Sequence, residues 1–141
     1  MTANAPRSIV VDSGPLIGAI FEEDHYHQEA TRGIRTLAMT GMQVLAPLPV
    51  VFEVYKRLAY DVGSRLARHG LAVIRESFTV VYFDPDDLDN LQELIESMPW
   101  WGGSLEDATV AMLALERDVP VWTFNYRDLK AFTNLEFWTP G

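Results

Sequence analysis

The segment Ser8-Ile9-Val10-Val11-Asp12-Ser13-Gly14-Pro15 constrains this chain more than any other. A short β-branched run with no polar residue inside it suits a central strand buried on both faces. The run ends abruptly at Asp12, and the next residues are suited to starting a helix. Ser13 is placed to cap it, Pro15 falls in its first turn, and Leu16, Ile17 and Ile20 share one apolar face. Strand, tight turn and helix together form the opening unit of a parallel α/β sheet.

The remaining periodicities extend that unit. A helix is expected from about His27 to Thr40, ending at Gly41, followed by a strand at Val44-Leu45-Ala46. Pro47 and Pro49 introduce a helix carrying Val50, Val51, Val54 and Leu58, and Arg65 to Glu76 reads as another. Thr79-Val80-Val81-Tyr82-Phe83 alternates too little for a half-exposed strand and is expected to be buried. Asp84-Pro85 opens a helix with Leu88, Leu91, Leu94 and Ile95 at helical spacing. After a turn at Pro99 to Gly103, Ser104 begins a helix through Glu116 that buries Ala108, Ala111, Met112 and Leu115. Val119 to Thr123 reads as a strand, Tyr126 to Ala131 as a short helical turn, and Leu135 to Trp138 as a final strand. The predicted architecture is a three-layer α/β/α sandwich around a mostly parallel sheet.

At 141 residues, with 48% hydrophobic and 11% aromatic side chains, the chain has the size and core-forming content of one domain. It is expected to be a single unit over residues 1–141, since no repeat, low-complexity tract or linker divides it. The absence of cysteine excludes disulfides, thiolate metal sites and a cysteine nucleophile. No signal peptide or membrane-length apolar run is present, and a cytoplasmic, membrane-free protein is expected. The net charge of −9 opposes long-range attraction to polyanions. Either the acids concentrate where cations bind, or the partner is a basic protein.

In open parallel sheets, functional residues gather beyond the carboxyl ends of the strands. Asp12 lies at such an end, and Asn125 and Asp128 follow the strand that reaches Thr123. Glu53 and Asp107 lie early in helices whose starts face the same edge. Carboxylates brought together there would repel one another unless a cation compensated them, and oxygen ligands suit Mg²⁺ or Mn²⁺. Each residue also has an ordinary structural role available. Asp12 can cap the next helix, Glu53 can pair with Arg57, Asp107 stands three after Ser104 as in a capping box, and Asp128 can cap a turn. The combination singles them out.

That combination resembles the PIN-domain family, and in particular the VapC-type toxins of bacterial toxin–antitoxin pairs. The likeness covers nearly the whole chain. It is carried by Ile9-Val10-Val11-Asp12-Ser13, by Glu53 within Val-Phe-Glu-Val, by Asp107-Ala108 in Leu105-Glu-Asp-Ala-Thr-Val-Ala-Met-Leu-Ala, and by Val121-Trp-Thr-Phe-Asn-Tyr-Arg-Asp-Leu. Asp12, Glu53 and Asp107 match the family's characteristic acids. Two positions depart from the pattern: Asn125 stands where an Asp is common, and Gly14 replaces a small polar residue.

The resemblance implies a ribonuclease that hydrolyses RNA phosphodiesters with Mg²⁺ or Mn²⁺, held as the toxin of a type II pair. Asp12 and Asp107 would be primary ligands, Glu53 would orient water or assist a second ion, and Asn125 and Asp128 would complete the metal set. With Asn125 uncharged, weaker metal binding is expected, with one tightly held ion instead of two. Ser13, Lys56, Arg57, Arg127 and Lys130 are candidate RNA contacts, whereas Arg65 and Arg68 fit a solvated helix face. A basic antitoxin and a homodimer are the implied partners. The helices carrying Val54, Leu58, Leu66 and Leu71 offer either a dimer face or core. An exposed Trp at Trp100 or Trp101 could stack on a base or anchor a partner, and a core role for at least one of the two is an equal alternative; His25 and His27 are read as structural or surface residues.

Two other classes compete. A PIN domain that has lost catalysis would act as an RNA- or protein-binding module, which Asn125 and the acidic balance favour. A different Mg²⁺-dependent α/β phosphohydrolase would need an Asp at position 14 or a receiver-type acidic pair, and neither is present; nor is a Gly-x-x-x-x-Gly-Lys loop.

Overall fold

In the computed structural model, which describes residues 7–141, the opening segment does form strand, turn and helix. Strand β1 spans Ser8–Val11 and helix α1 spans Ser13–Ile20. Ile9, Val10 and Val11 are wholly buried, as a central parallel strand requires. The cap of α1 is Asp12, not Ser13 as the spacing suggests. Asp12 keeps an extended backbone, and its carboxylate accepts the Ser13 N–H at 2.8 Å, leaving Ser13 as the first helical residue.

Helix α2, His27–Thr40, ends on a left-handed Gly41, and strand β2 covers Gln43–Pro47. Helices α3, Leu48–Asp61, and α4, Ser64–Ser77, come next, then strand β3 at Thr79–Val81. Helix α5 covers Pro85–Glu96 and α6 covers Leu105–Arg117, each opened by a capping box. Strand β4 is Val121–Trp122, and α7 is Tyr126–Leu129. The sheet order is β3-β2-β1-β4 with every pairing parallel, and helices flank it in a three-layer α/β/α arrangement. The central strand β1 feeds Asp12 to the carboxyl edge between β2 and β4.

Three strands differ from expectation, and β4, expected over Val119 to Thr123, keeps only Val121–Trp122. Residues 79–83 were expected to be buried, yet β3 is short and only partly covered, with Tyr82 62% exposed. It is an edge strand, so one side has no partner. The final strand at Leu135–Trp138 is reduced to a single parallel bridge between Val121 and Phe137, held by Val121 N–H to Glu136 O at 2.9 Å and Trp138 N–H to Val121 O at 2.8 Å. The helix positions in question resolve as well. Val54 and Leu58 are core, whereas Leu71 stays 36% exposed, and Leu115, expected on the buried side of its helix, is exposed at 38%. The expectation that Met1–Pro6 carry no targeting signal lies outside the described residues. Among the described residues, no helix is long and apolar enough to cross a membrane.

Candidate active site

Asp12 ends β1 with its side chain almost fully buried. Both oxygens are held: Oδ1 accepts from Ser13 N–H, and Oδ2 accepts from the Thr123 hydroxyl at 2.8 Å. The Thr123 oxygen also accepts the Asn125 N–H at 2.8 Å. One buried hydroxyl therefore clamps the end of β1 to the turn after β4. Nothing local in the sequence marks Thr123, because its importance comes from a pairing across 111 positions.

Helix α6 supplies Asp107, which is buried in the first turn. Its N–H donates to the Ser104 hydroxyl at 3.1 Å, and Asp107 Oδ2 accepts the Ser104 N–H at 3.3 Å. The same Oδ2 accepts Asn125 Nδ2–H at 3.3 Å, and that amide also donates to Asp128 Oδ2 at 3.0 Å. Asn125 thus ties together two carboxylates that would otherwise repel. Asp128 is held further by the Arg127 guanidinium at 3.6 Å and by Trp101, whose indole N–H donates to the Asp128 carbonyl at 2.8 Å. Trp101 is the inward tryptophan of the pair, and Trp100 is 70% exposed.

Asp12, Glu53, Asp107 and Asn125 line one cleft of about 430 Å³, together with Ser13, Arg57 and Arg127. Arg57 donates to the Ser13 hydroxyl at 3.4 Å. Lys56 lines the adjoining hollow with Phe52, Glu53 and Arg57. Lys130 is exposed where α7 ends and does not line the cleft, and Arg65 and Arg68 are exposed on α4. Glu106, which sequence reading did not single out, shares the hollow beside Glu53. Asp24, Tyr26 and Phe124 also line the cleft and were missed, since a loop and a strand end bring them there, and His25, read as structural or surface, lines it too. His27 is structural: its Nδ1 lies 2.7 Å from the Gly18 carbonyl.

The electrostatics record how crowded these acids are. Burial raises the Asp12 pKa to about 6, the Asp107 charge adds to the rise, and the Thr123 hydrogen bond opposes it. Glu53 is pushed up to about 7, mainly by burial, with Glu106 and Asp12 contributing and the Ser13 hydroxyl opposing. Asp107 is raised by burial, with Asp128 adding to it. Desolvated carboxylates with raised pKa values lack compensating charge. The donor set is all oxygen, which is the chemistry that hard divalent cations take. As positioned, no three acidic or imidazole side chains among the described residues form a group tight enough to enclose an ion unaided.

The chain matches the family model of the PIN domain over residues 9–135. No curated protein sequence matches it. Among solved structures it is similar to VapC20 of Mycobacterium tuberculosis, described as a Sarcin-Ricin loop cleaving toxin. That likeness has a TM-score of 0.75 and 22% identity, covering 87% of this chain and 93% of the other. It is also similar to VapBC2 from Rickettsia felis, bound to a promoter DNA fragment, at a TM-score of 0.74 and 14% identity over 93% and 97% of the two chains. FitAcB from Neisseria gonorrhoeae gives a TM-score of 0.66 and 13% identity over 94% and 97%. At such identities these neighbours speak to the fold alone. The parallel sheet with Asp12 at its carboxyl edge and a family model spanning almost the whole sequence lead to one conclusion: the chain belongs to the PIN-domain family.

Proposed function

We propose that this PIN domain is a divalent-metal-dependent ribonuclease, the toxin of a type II toxin–antitoxin pair. One observation carries the reading. Asp12, Glu53 and Asp107 come from separate elements into one cleft, and burial leaves their charge uncompensated. Asp12 and Asp107 would hold Mg²⁺ or Mn²⁺, with Asp128 and the Asn125 amide beside them. When bound, such a cation makes water more acidic and offsets charge on the phosphate. Glu53 lines the cleft beside these ligands and would accept a proton from the attacking water. Thr123 and Ser13 fix Asp12, and the Ser104 cap fixes Asp107. Arg57 and Arg127 at the cleft, and Lys56, Ser13 and Lys130 around it, would contact phosphates.

Likeness to a neighbour described as a Sarcin-Ricin loop cleaving toxin and to one described as a toxin–antitoxin complex supports a toxin with an antitoxin partner, and a cytoplasmic place goes with that reading. The net charge of −9 suits a basic one. A homodimer is consistent with exposed Phe52, Tyr60 and Leu71 on α3 and α4, at 65%, 90% and 36%.

A second reading has its own support. Asn125 places a neutral amide between Asp107 and Asp128, where the charge of a metal would otherwise be needed. That favours a weak or inactive domain acting as a binding module. Incubation of single-stranded RNA with the protein and Mg²⁺ or Mn²⁺ decides between them. Cleavage that stops with EDTA and in Asp12→Asn and Asp107→Asn is expected. No cleavage by the wild type, or full cleavage by either variant, would overturn the nuclease reading.

A further inference from the structure

We infer that the cleft contains a stacking subsite for an unpaired RNA base, built on Tyr26, Phe124 and His25, which flanks the acidic centre. This rests on the ribonuclease reading and names the residues that would hold a base of its RNA. The Tyr26 ring lies parallel to Phe124, with centroids 4.3 Å apart and planes 19° apart. His25 meets Tyr26 edge-on at 4.8 Å. Phe124 in turn abuts the buried Trp122 ring at 6.3 Å, so the stack is rooted in the core.

Its position relative to the acids is set by the chain. Phe124 lies between Thr123, which holds Asp12, and Asn125, which holds Asp107. Its ring also lies against Gly14, where an added Cβ would sit 3.3 Å away, two residues from Asp12. The three aromatic side chains line the same cleft as Asp12, Glu53 and Asp107. A base beside the scissile phosphate is within reach of such a wall.

The loop that carries the stack is pinned. Asp24 accepts the Tyr26 N–H on its carboxylate at 3.0 Å and the His27 N–H on its carbonyl at 3.0 Å. Tyr26 makes no side-chain cap for α2, and its ring remains 40% exposed. Charge points the same way. The cleft is lined by two arginines against several acids in a chain of net charge −9, which leaves little phosphate attraction to hold RNA. Stacking supplies affinity without charge and tolerates any base, because every base has a π-face.

The test uses a short single-stranded oligoribonucleotide carrying 2-aminopurine, bound to the metal-free protein in EDTA so that no cleavage intervenes. Wild type is expected to quench the 2-aminopurine, and Tyr26→Ala to weaken binding about 5- to 150-fold and lose the quench. Tyr26→Phe keeps the ring and is expected to retain both, which separates stacking from any role of the hydroxyl. With Arg57, Arg127, Lys56 and Lys130 as the phosphate contacts, log affinity against log salt should have a slope no steeper than about −2.8. In the presence of metal, an abasic substitution next to the cleaved bond should raise KM for wild type and leave it unchanged for Tyr26→Ala. Unaltered quenching in Tyr26→Ala, or an equal loss in Tyr26→Phe, would overturn the subsite. A duplex RNA or a protein partner that binds through these rings while the single strand does not would also overturn it. Quenching without any cleavage by the wild type would instead count against the nuclease reading and leave the subsite standing.

Discussion

Asn125 turns one substitution into a measurable prediction. Its amide donates to Asp107 and Asp128 at 3.3 and 3.0 Å, neutralising by hydrogen bonding what an acid at that position would intensify. Asn125→Asp restores a third carboxylate beside those two, so repulsion rises in the absence of metal and the demand for a cation rises with it. The expected outcome is tighter Mn²⁺ binding, about 10- to 100-fold by calorimetry, with a lower melting temperature in EDTA. Unchanged affinity would mean that Asn125 lies outside the cation's reach. Glu53 gives the companion case. Glu53→Gln keeps shape and burial but cannot take a proton, so kcat should fall about 10²- to 10⁴-fold with little change in metal affinity. A variant that retains full kcat would remove Glu53 from the chemistry.

Among the elements, helix α6 shows how an ordinary role and a functional one coincide. Ser104 and Asp107 form the capping box that the spacing suggested, and the same Asp107 carboxyl faces the cleft. The helix start is therefore a rigid mount for the acid. Trp101 braces that mount from outside: its indole bonds the Asp128 carbonyl, and its ring packs against Phe132 at 5.0 Å and over Gly103, where a Cβ would overlap it. Gly33 is the matching case on α2, where the helix passes so close to the buried Trp122 that an added methyl would collide with the ring. Gly33→Ala is expected to destabilise the protein by about 1–3 kcal/mol in urea denaturation, despite alanine's better helix propensity. A stabilised variant would show that α2 can shift freely. Helix bounds were legible because periodicity and caps are local. Strand extents were not, since β3 became an edge and residues 135–138 a single bridge only through neighbours distant in sequence.

At the scale of the whole molecule, the acids of the cleft were legible as residue types but not as neighbours. Sequence order placed Asp12 at a strand end and Asp107 at a helix start. It could not show Thr123 gripping Asp12 across the sheet, nor Tyr26 and Phe124 lining the same cleft. That convergence has a global consequence. Burial raises Asp12 from 3.8 to about 6 and Glu53 from 4.5 to about 7, and Asp107 moves in the same direction. In this window the folded chain holds protons that the unfolded chain has released, so stability falls as pH rises. The loss begins near the unfolded values and is complete once pH exceeds the folded ones. In EDTA, the melting temperature should therefore drop between about pH 5 and about pH 8, and Asp12→Asn should flatten the drop. Mn²⁺ or Mg²⁺ binds the ionised carboxylates and should recover stability at the upper pH while doing little at the lower, because protons compete for the same oxygens. Circular-dichroism melts with and without metal at the two pH values check this. A melting temperature that is flat or rising with pH in EDTA, or a metal effect equal at both ends, would show that these carboxyl groups carry no uncompensated charge in the fold.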